Sequence, residues 1–150
     1  LLAARALNEA LVVLEPHLAG DAVETPAKIL IGTVRGDLHD IGKNMVVTML
    51  KGVGMDVIDL GINVKVEDFV GKVVQEKPDI LGLSALLTTT MPQIRSVLMA
   101  LTEAGLREKV KVMIGGAPVN QKFADDVGAD GYAHDAGAAV TLAKRLISGK

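Results

Sequence analysis

The sequence predicts an α/β fold: a five-stranded parallel sheet with helices on both faces, preceded by one further helix. Three observations predict it. Short apolar runs rich in β-branched residues alternate with longer stretches whose apolar residues recur at helical spacing. Five such runs occur, each followed by a helical stretch. No connection is short enough for an antiparallel hairpin, so right-handed crossovers must join parallel strands.

The elements follow in order. Ala4, Leu7, Leu11, Leu14 and Leu18 form a helical stripe. Pro16 ends or bends that helix, and Gly20 closes it. The stripe already runs at Leu1, so residues 1–19 are expected to be the last helix of a longer, truncated helical cap domain. Residues 20–26 (GDAVETP) read as a linker, and 27–150 as the α/β domain. The first strand is 28–34 (KILIGTV), a buried apolar run. Helix 40–53 places Ile41, Met45, Val46, Met49 and Leu50 on one side. Strand 56–60 and helix 66–76 come next, the helix stopped ahead of Pro78. Strand 79–83 precedes helix 92–104, with Pro92 in its first turn and Gly105 at its end. Strand 110–114, helix 119–127, the short strand 130–132 and helix 135–147 complete the chain.

Five such strands fit the flavodoxin-like, Rossmann-like order 2-1-3-4-5. In that order ligands bind beyond the carboxyl ends of the strands, at the switch point between strands 1 and 3. The loops expected there are 35–40 (RGDLHD) and 84–91 (SALLTTTM), the two most unusual polar segments in the chain.

Composition narrows the function. The chain has 150 residues, 49% of them hydrophobic, which suits one domain with a substantial core. A formal charge of −2 and no Lys/Arg block argue against nucleic acid and anionic membranes. Phe69, Phe123 and Tyr132 are the only aromatics, so no base-stacking platform is visible. Absence of cysteine excludes disulfides, iron–sulfur clusters and thiolate zinc sites. No apolar run reaches the roughly 20 residues of a membrane span, and no signal peptide is evident, so a cytoplasmic location is expected.

The first loop holds the most chemistry. His39 at the tip of a βα loop can act as a general base or a metal ligand. Asp37, two residues earlier, can accept the proton of one ring nitrogen, fix the tautomer and aim the other nitrogen. A solvated loop in which Asp and His cap the helix fits the same spacing. A serine triad lacks its Gly-x-Ser-x-Gly elbow, and neither His17 nor His134 stands at zinc-ligand spacing from His39. There is no Gly-x-Gly-x-x-Gly and no Walker lysine. Ser84, Thr88, Thr89 and Thr90 place hydroxyls after strand 3, either for a polar heterocycle or, through Thr89 or Thr90, to cap the next helix. Gly115 and Gly116 after strand 4 are either an ordinary turn or room for a flat ligand.

Asp37-x-His39-x-x-Gly42, Ser84-x-Leu86-x-Thr88 and Gly115-Gly116, each at a strand's carboxyl end, together resemble the cobalamin-binding domain family over about residues 26–148. The resemblance implies that His39 is the lower axial ligand of cobalt in cobalamin or a related corrinoid, such as methylcobalamin or hydroxocobalamin. Asp37 would bond the other ring nitrogen. Thr90 stands where methionine synthase-like members complete this relay with serine, and it keeps the hydroxyl. Ser84 and Thr88 would bond the nucleotide tail, with Gly42, Gly115 and Gly116 making room for it. Asp40, Ile41, Leu86 and Tyr132 complete the expected cofactor contacts.

The segment 36–44 (GDLHDIGKN) resembles the methyl-transfer branch, because Leu38 and Ile41 replace the Gly and Arg of isomerase-type domains. The resemblance then implies a non-catalytic corrinoid subunit. It would shuttle a methyl group on cobalt from a substrate:corrinoid methyltransferase to a second methyltransferase acting on tetrahydrofolate or a thiol, with a reductive activase as a further partner. A helical bundle precedes the domain in such proteins, and residues 1–17 resemble its last helix. Alternatives are the cobalamin subunit of an adenosylcobalamin-dependent mutase and a cobalamin-binding sensor domain. A phospho-receiver would want Asp where Ser84 stands, and a flavodoxin would want aromatic flanks. His17 reads as a surface residue; His134 either caps a loop or lines the tail pocket.

Overall fold

A computed structural model describes residues 2–14 and 26–149. The elements are α1 (Leu2–Leu14), β1 (Lys28–Thr33), α2 (Ile41–Gly52), β2 (Asp56–Asp59), α3 (Val66–Glu76), β3 (Ile80–Ser84), α4 (Met91–Glu103), β4 (Lys111–Gly115), α5 (Gln121–Val127), β5 (Gly131–Tyr132) and α6 (Ala136–Ser148). A short 3-10 turn, Arg107–Lys109, sits between α4 and β4. The expected end of the first helix at Pro16, His17, and the linker except residue 26 lie outside the described residues.

The five strands form one sheet in the order β2-β1-β3-β4-β5, and every pairing is parallel. β1, β3 and β4 are buried along almost their whole length, which explains their unbroken apolar runs. Side chains alternate across the sheet. Leu30, Leu81, Val112 and Ile114 face one core with Phe69, Ile94, Val97 and Leu101, under α3, α4 and α5. Ile29, Ile80 and Met113 face a second core with Leu50, Ala139, Leu142 and Ala143, under α2 and α6.

Local signals place the ends. Asn120 caps α5 by accepting from the Phe123 amide, and Asp135 caps α6 by accepting from the Ala138 amide. Pro78 ends α3 as the sequence requires, with Lys77 in the left-handed region at its C-cap. Asp40 and Thr90 occupy N-cap positions but make no side-chain capping bond. For Thr90 the hydroxyl is engaged elsewhere, at the site below.

Candidate functional site

Thr33 pairs with Ser84, and Ser84 with Gly115, so β1, β3 and β4 end in one layer at the switch point. A cavity of about 570 Å³ opens beneath this layer on the α2–α6 face. That volume lies within the ~300–1,000 Å³ range of small-molecule sites. Its walls are largely apolar, built from Ile31, Met45, Val46, Met113 and Ala139.

His39 stands in the cavity lining, its side chain half exposed. Its Nδ1 lies 2.7 Å from Asp37 Oδ1, and its own amide donates to the same oxygen at 3.1 Å. The Asp37 carboxylate is fully buried. Its second oxygen accepts from the Leu86 amide at 2.6 Å and from the Thr90 hydroxyl at 2.7 Å. Burial alone pushes this carboxyl up; the bonds from Leu86, Thr90, the His39 ring and the His39 amide outweigh it and hold the carboxyl at about 2, against an ordinary 3.8. Asp37 is therefore an anion at neutral pH. A proton on His39 Nδ1, donated to that anion, leaves the lone pair of Nε2 free. Buried Thr33 fixes the loop from below, its hydroxyl donating to the His39 carbonyl at 2.9 Å.

His39, Asp40, Ile41, Gly42, Ser84, Leu86, Gly115 and Gly116 all line the cavity. Asp37 and Thr90 lie behind His39, buried. Two expected contacts fall elsewhere. Thr88 is exposed and outside the lining, because the loop turns through a bond from the Thr90 amide to the Leu87 carbonyl. Tyr132 packs against the α3–α5 core, since alternation along β5 gives the cavity side to Gly131. His134 lines the cavity, and its Nε2 lies 3.2 Å from Oδ2 of Asp135, the residue that caps α6.

The glycines divide by cause. A Cβ at Gly42 would meet nothing within 4 Å, although Gly42 borders the cavity. A Cβ at Gly116, where φ is +127°, would overlap the Ala85 carbonyl oxygen. Close backbone packing requires that glycine with or without a ligand. Gly82 lines the cavity and was missed in the sequence, although it shares a strand face with Ser84 two residues on. Met45 and Val46 were legible only as part of the α2 stripe.

The donor set says what metal this place could hold. Among the described residues no three His, Cys, Asp or Glu side chains cluster as metal ligands. A metal at His39 must therefore bring its other ligands with it, as a macrocycle does. Exposed Leu38, Leu86 and Leu87 surround the histidine loop with apolar surface suited to cover by a flat ring. The residues present fit such a group: His39 offers a ring nitrogen, apolar surface surrounds its loop, and the cavity lies beside it.

The model of the B12 binding domain family matches residues 27–141. The chain is 51% identical over 129 residues to dimethylamine corrinoid protein 3 of Methanosarcina mazei, covering 86% of this chain and 77% of that protein. The structure of the Methanosarcina barkeri monomethylamine corrinoid protein superposes with a TM-score of 0.86 at 35% identity, over 95% of this chain and 68% of that one. The methanol:cobalamin methyltransferase complex of the same organism gives 0.78 at 36% identity, over 89% of this chain and 51% of that one. No helix among the described residues is long and apolar enough to cross a membrane.

Proposed function

Because the chain belongs to the B12-binding domain family, we propose that it is a corrinoid methyl carrier whose cobalt is held from below by His39. The observation that carries this reading is the 2.7 Å bond between His39 Nδ1 and the buried Asp37 carboxylate. When bound, the corrinoid supplies a cobalt that accepts a methyl group and gives it up. Asp37 keeps the proton on Nδ1 and so offers Nε2 to the metal. Leu86 and Thr90 hold Asp37 ionised and in place. Ser84, Gly42, Gly82 and Gly115 border the cavity that would receive the nucleotide tail.

A substrate:corrinoid methyltransferase would load the methyl group, and a second methyltransferase would pass it to tetrahydrofolate or a thiol. A reductive activase would restore the cobalt. None of these steps asks this chain for a general acid or base, so on this reading it acts as a shuttle subunit, working in the cytoplasm beside its partners. On this reading α1 (Leu2–Leu14) would belong to a helical cap over the cofactor.

The test is an absorption spectrum after mixing the protein with hydroxocobalamin and removing the excess, repeated with His39→Ala. Retained cobalamin with a spectrum altered by the substitution is expected. Identical spectra from the two proteins would overturn the ligand role of His39.

A further inference from the structure

The loop that carries Asp37 and His39 is gripped by a residue outside all three motifs. Asn63 lies between β2 and α3, with φ at +50°. Asparagine tolerates this left-handed region better than other non-glycine residues. From there it makes two bonds to the histidine loop. Its Oδ1 accepts from the Gly36 amide at 2.8 Å, and its own amide donates to the Asp37 carbonyl at 3.0 Å. The next residue, Val64, pairs with Val34 in an isolated parallel bridge. Asp37 is thus held from two directions. The loop after β3 holds its carboxylate, and the loop after β2 holds its backbone.

The gripping loop is itself anchored. Lys43 on α2 has a side chain only 2% exposed, and its Nζ reaches the two carboxylate oxygens of Asp59 at 2.7 and 2.8 Å. Asp59 Oδ1 also accepts from the Gly61 amide at 2.8 Å. The contacts therefore close a ring: α2 to Asp59, along the loop to Asn63, across to Gly36 and Asp37, and through His39 back to α2. A buried ammonium pairs here because an unpaired one would be costly, and the pair ties the loop to the helix that follows His39.

We propose that Asn63 is a positioning residue for His39. It fixes the Gly36–Asp37 backbone, and through the Asp37 carboxylate it aims the imidazole. The inference rests on His39 being the lower ligand of the bound corrinoid.

The test uses the whole chain and two readouts. Asn63→Gly keeps the backbone conformation and removes the acceptor; Asn63→Asp keeps an acceptor. Loaded with hydroxocobalamin, Asn63→Gly should lower the ratio of His-on to His-off cobalt roughly tenfold, and Asn63→Asp should stay within about twofold of the parent. Without cofactor, the His39 Nδ1 proton resonance should persist in the parent and in Asn63→Asp, and broaden by solvent exchange in Asn63→Gly. Asn63→Ala is the second acceptor-free variant and should reproduce the glycine result. Unchanged ratio and unchanged resonance in a folded acceptor-free variant would overturn the proposal. Failure of the ligand reading looks different. His39→Ala would then leave the spectrum unaltered, and the resonance alone would decide the role of Asn63.

Discussion

On the face covered by α3, α4 and α5, the gap left by Gly32 in β1 is filled by the Phe69 ring, which a Cβ there would approach to 2.9 Å. On the face covered by α2 and α6, Gly82 and Gly115 in β3 and β4 line a cavity of about 570 Å³, although a Cβ at either would already stand 3.1 Å from a neighbour, Ile31 at Gly82 and the Ala133 carbonyl oxygen at Gly115. The two faces belong to one sheet and have similar aliphatic composition. A helix side chain fills the space at Gly32, as Leu142 of α6 does at Gly131, whereas the near neighbours of Gly82 and Gly115 are Ile31 and the Ala133 carbonyl and no large helix side chain enters there. A glycine in a strand is therefore not by itself a sign of a ligand; what the facing helix contributes decides it. At the cavity wall α2 offers Met45 and Val46, α6 offers Ala136 and Ala139, and neither helix brings a Phe or Tyr ring.

The largest test of this separation is Phe69→Ala. The ring is fully buried, so its removal should cost about 3–5 kcal/mol in chemical denaturation. Cobalamin retention should survive in whatever fraction stays folded, because no wall of the cavity is touched. Loss of cofactor from folded Phe69→Ala would mean that the faces are coupled.

Two glycines sharpen the comparison on the cavity side. Gly116→Ala forces a methyl onto the Ala85 carbonyl at positive φ and should cost about 2–3 kcal/mol. Gly42→Ala should leave stability unchanged or raise it by up to ~1 kcal/mol, since alanine favours the helix. Its methyl nevertheless projects beside the cavity, so cobalamin affinity should fall. Unfolding curves and cofactor titrations on both variants check the pair; a stability loss in Gly42→Ala would contradict the open space seen there.

The acid limb should carry the signature of Asp37. Its carboxyl is ordinary at 3.8 in the unfolded chain and held at about 2 in the fold. The resulting stabilisation, about 2 kcal/mol, is fully present above pH 3.8 and is lost as pH falls towards 2. Asp37→Asn should flatten that part of a stability-against-pH curve for the cofactor-free chain. An unchanged acid limb in the variant would assign the loss to other carboxylates.

Much of this was legible before the structure. Alternation of apolar runs and helical stripes predicted the parallel sheet with crossovers, and the flavodoxin-like strand order was a prior that five such strands fit. Asp37, His39, Ser84 and Gly42 were readable because their types and spacing have a chemical use at strand ends. Other positions were not readable for physical reasons. Tyr132 sits on a two-residue strand, too short for its alternation to declare a face. Spacing alone does not separate Thr88 from Thr90; the resemblance set Thr90 on the Asp37 relay, and the turn at Leu87 buries Thr90 and exposes Thr88. Thr33 reads as an ordinary strand residue until its hydroxyl is seen on the His39 carbonyl. Asn63 and Lys43 act through backbone and ion-pair contacts between loops distant in sequence, for which local pattern carries no signal.

The measurement closest to the central claim is electron paramagnetic resonance of the protein loaded with cobalamin and reduced to Co(II), with histidine labelled by nitrogen-15. If His39 Nε2 is the lower ligand, the nitrogen splitting of the cobalt lines changes from triplets to doublets on labelling, and His39→Ala abolishes the labelled pattern. Triplets that persist after labelling would mean that the cofactor keeps its own base on the metal, and the account of the Asp37–His39 pair would be wrong.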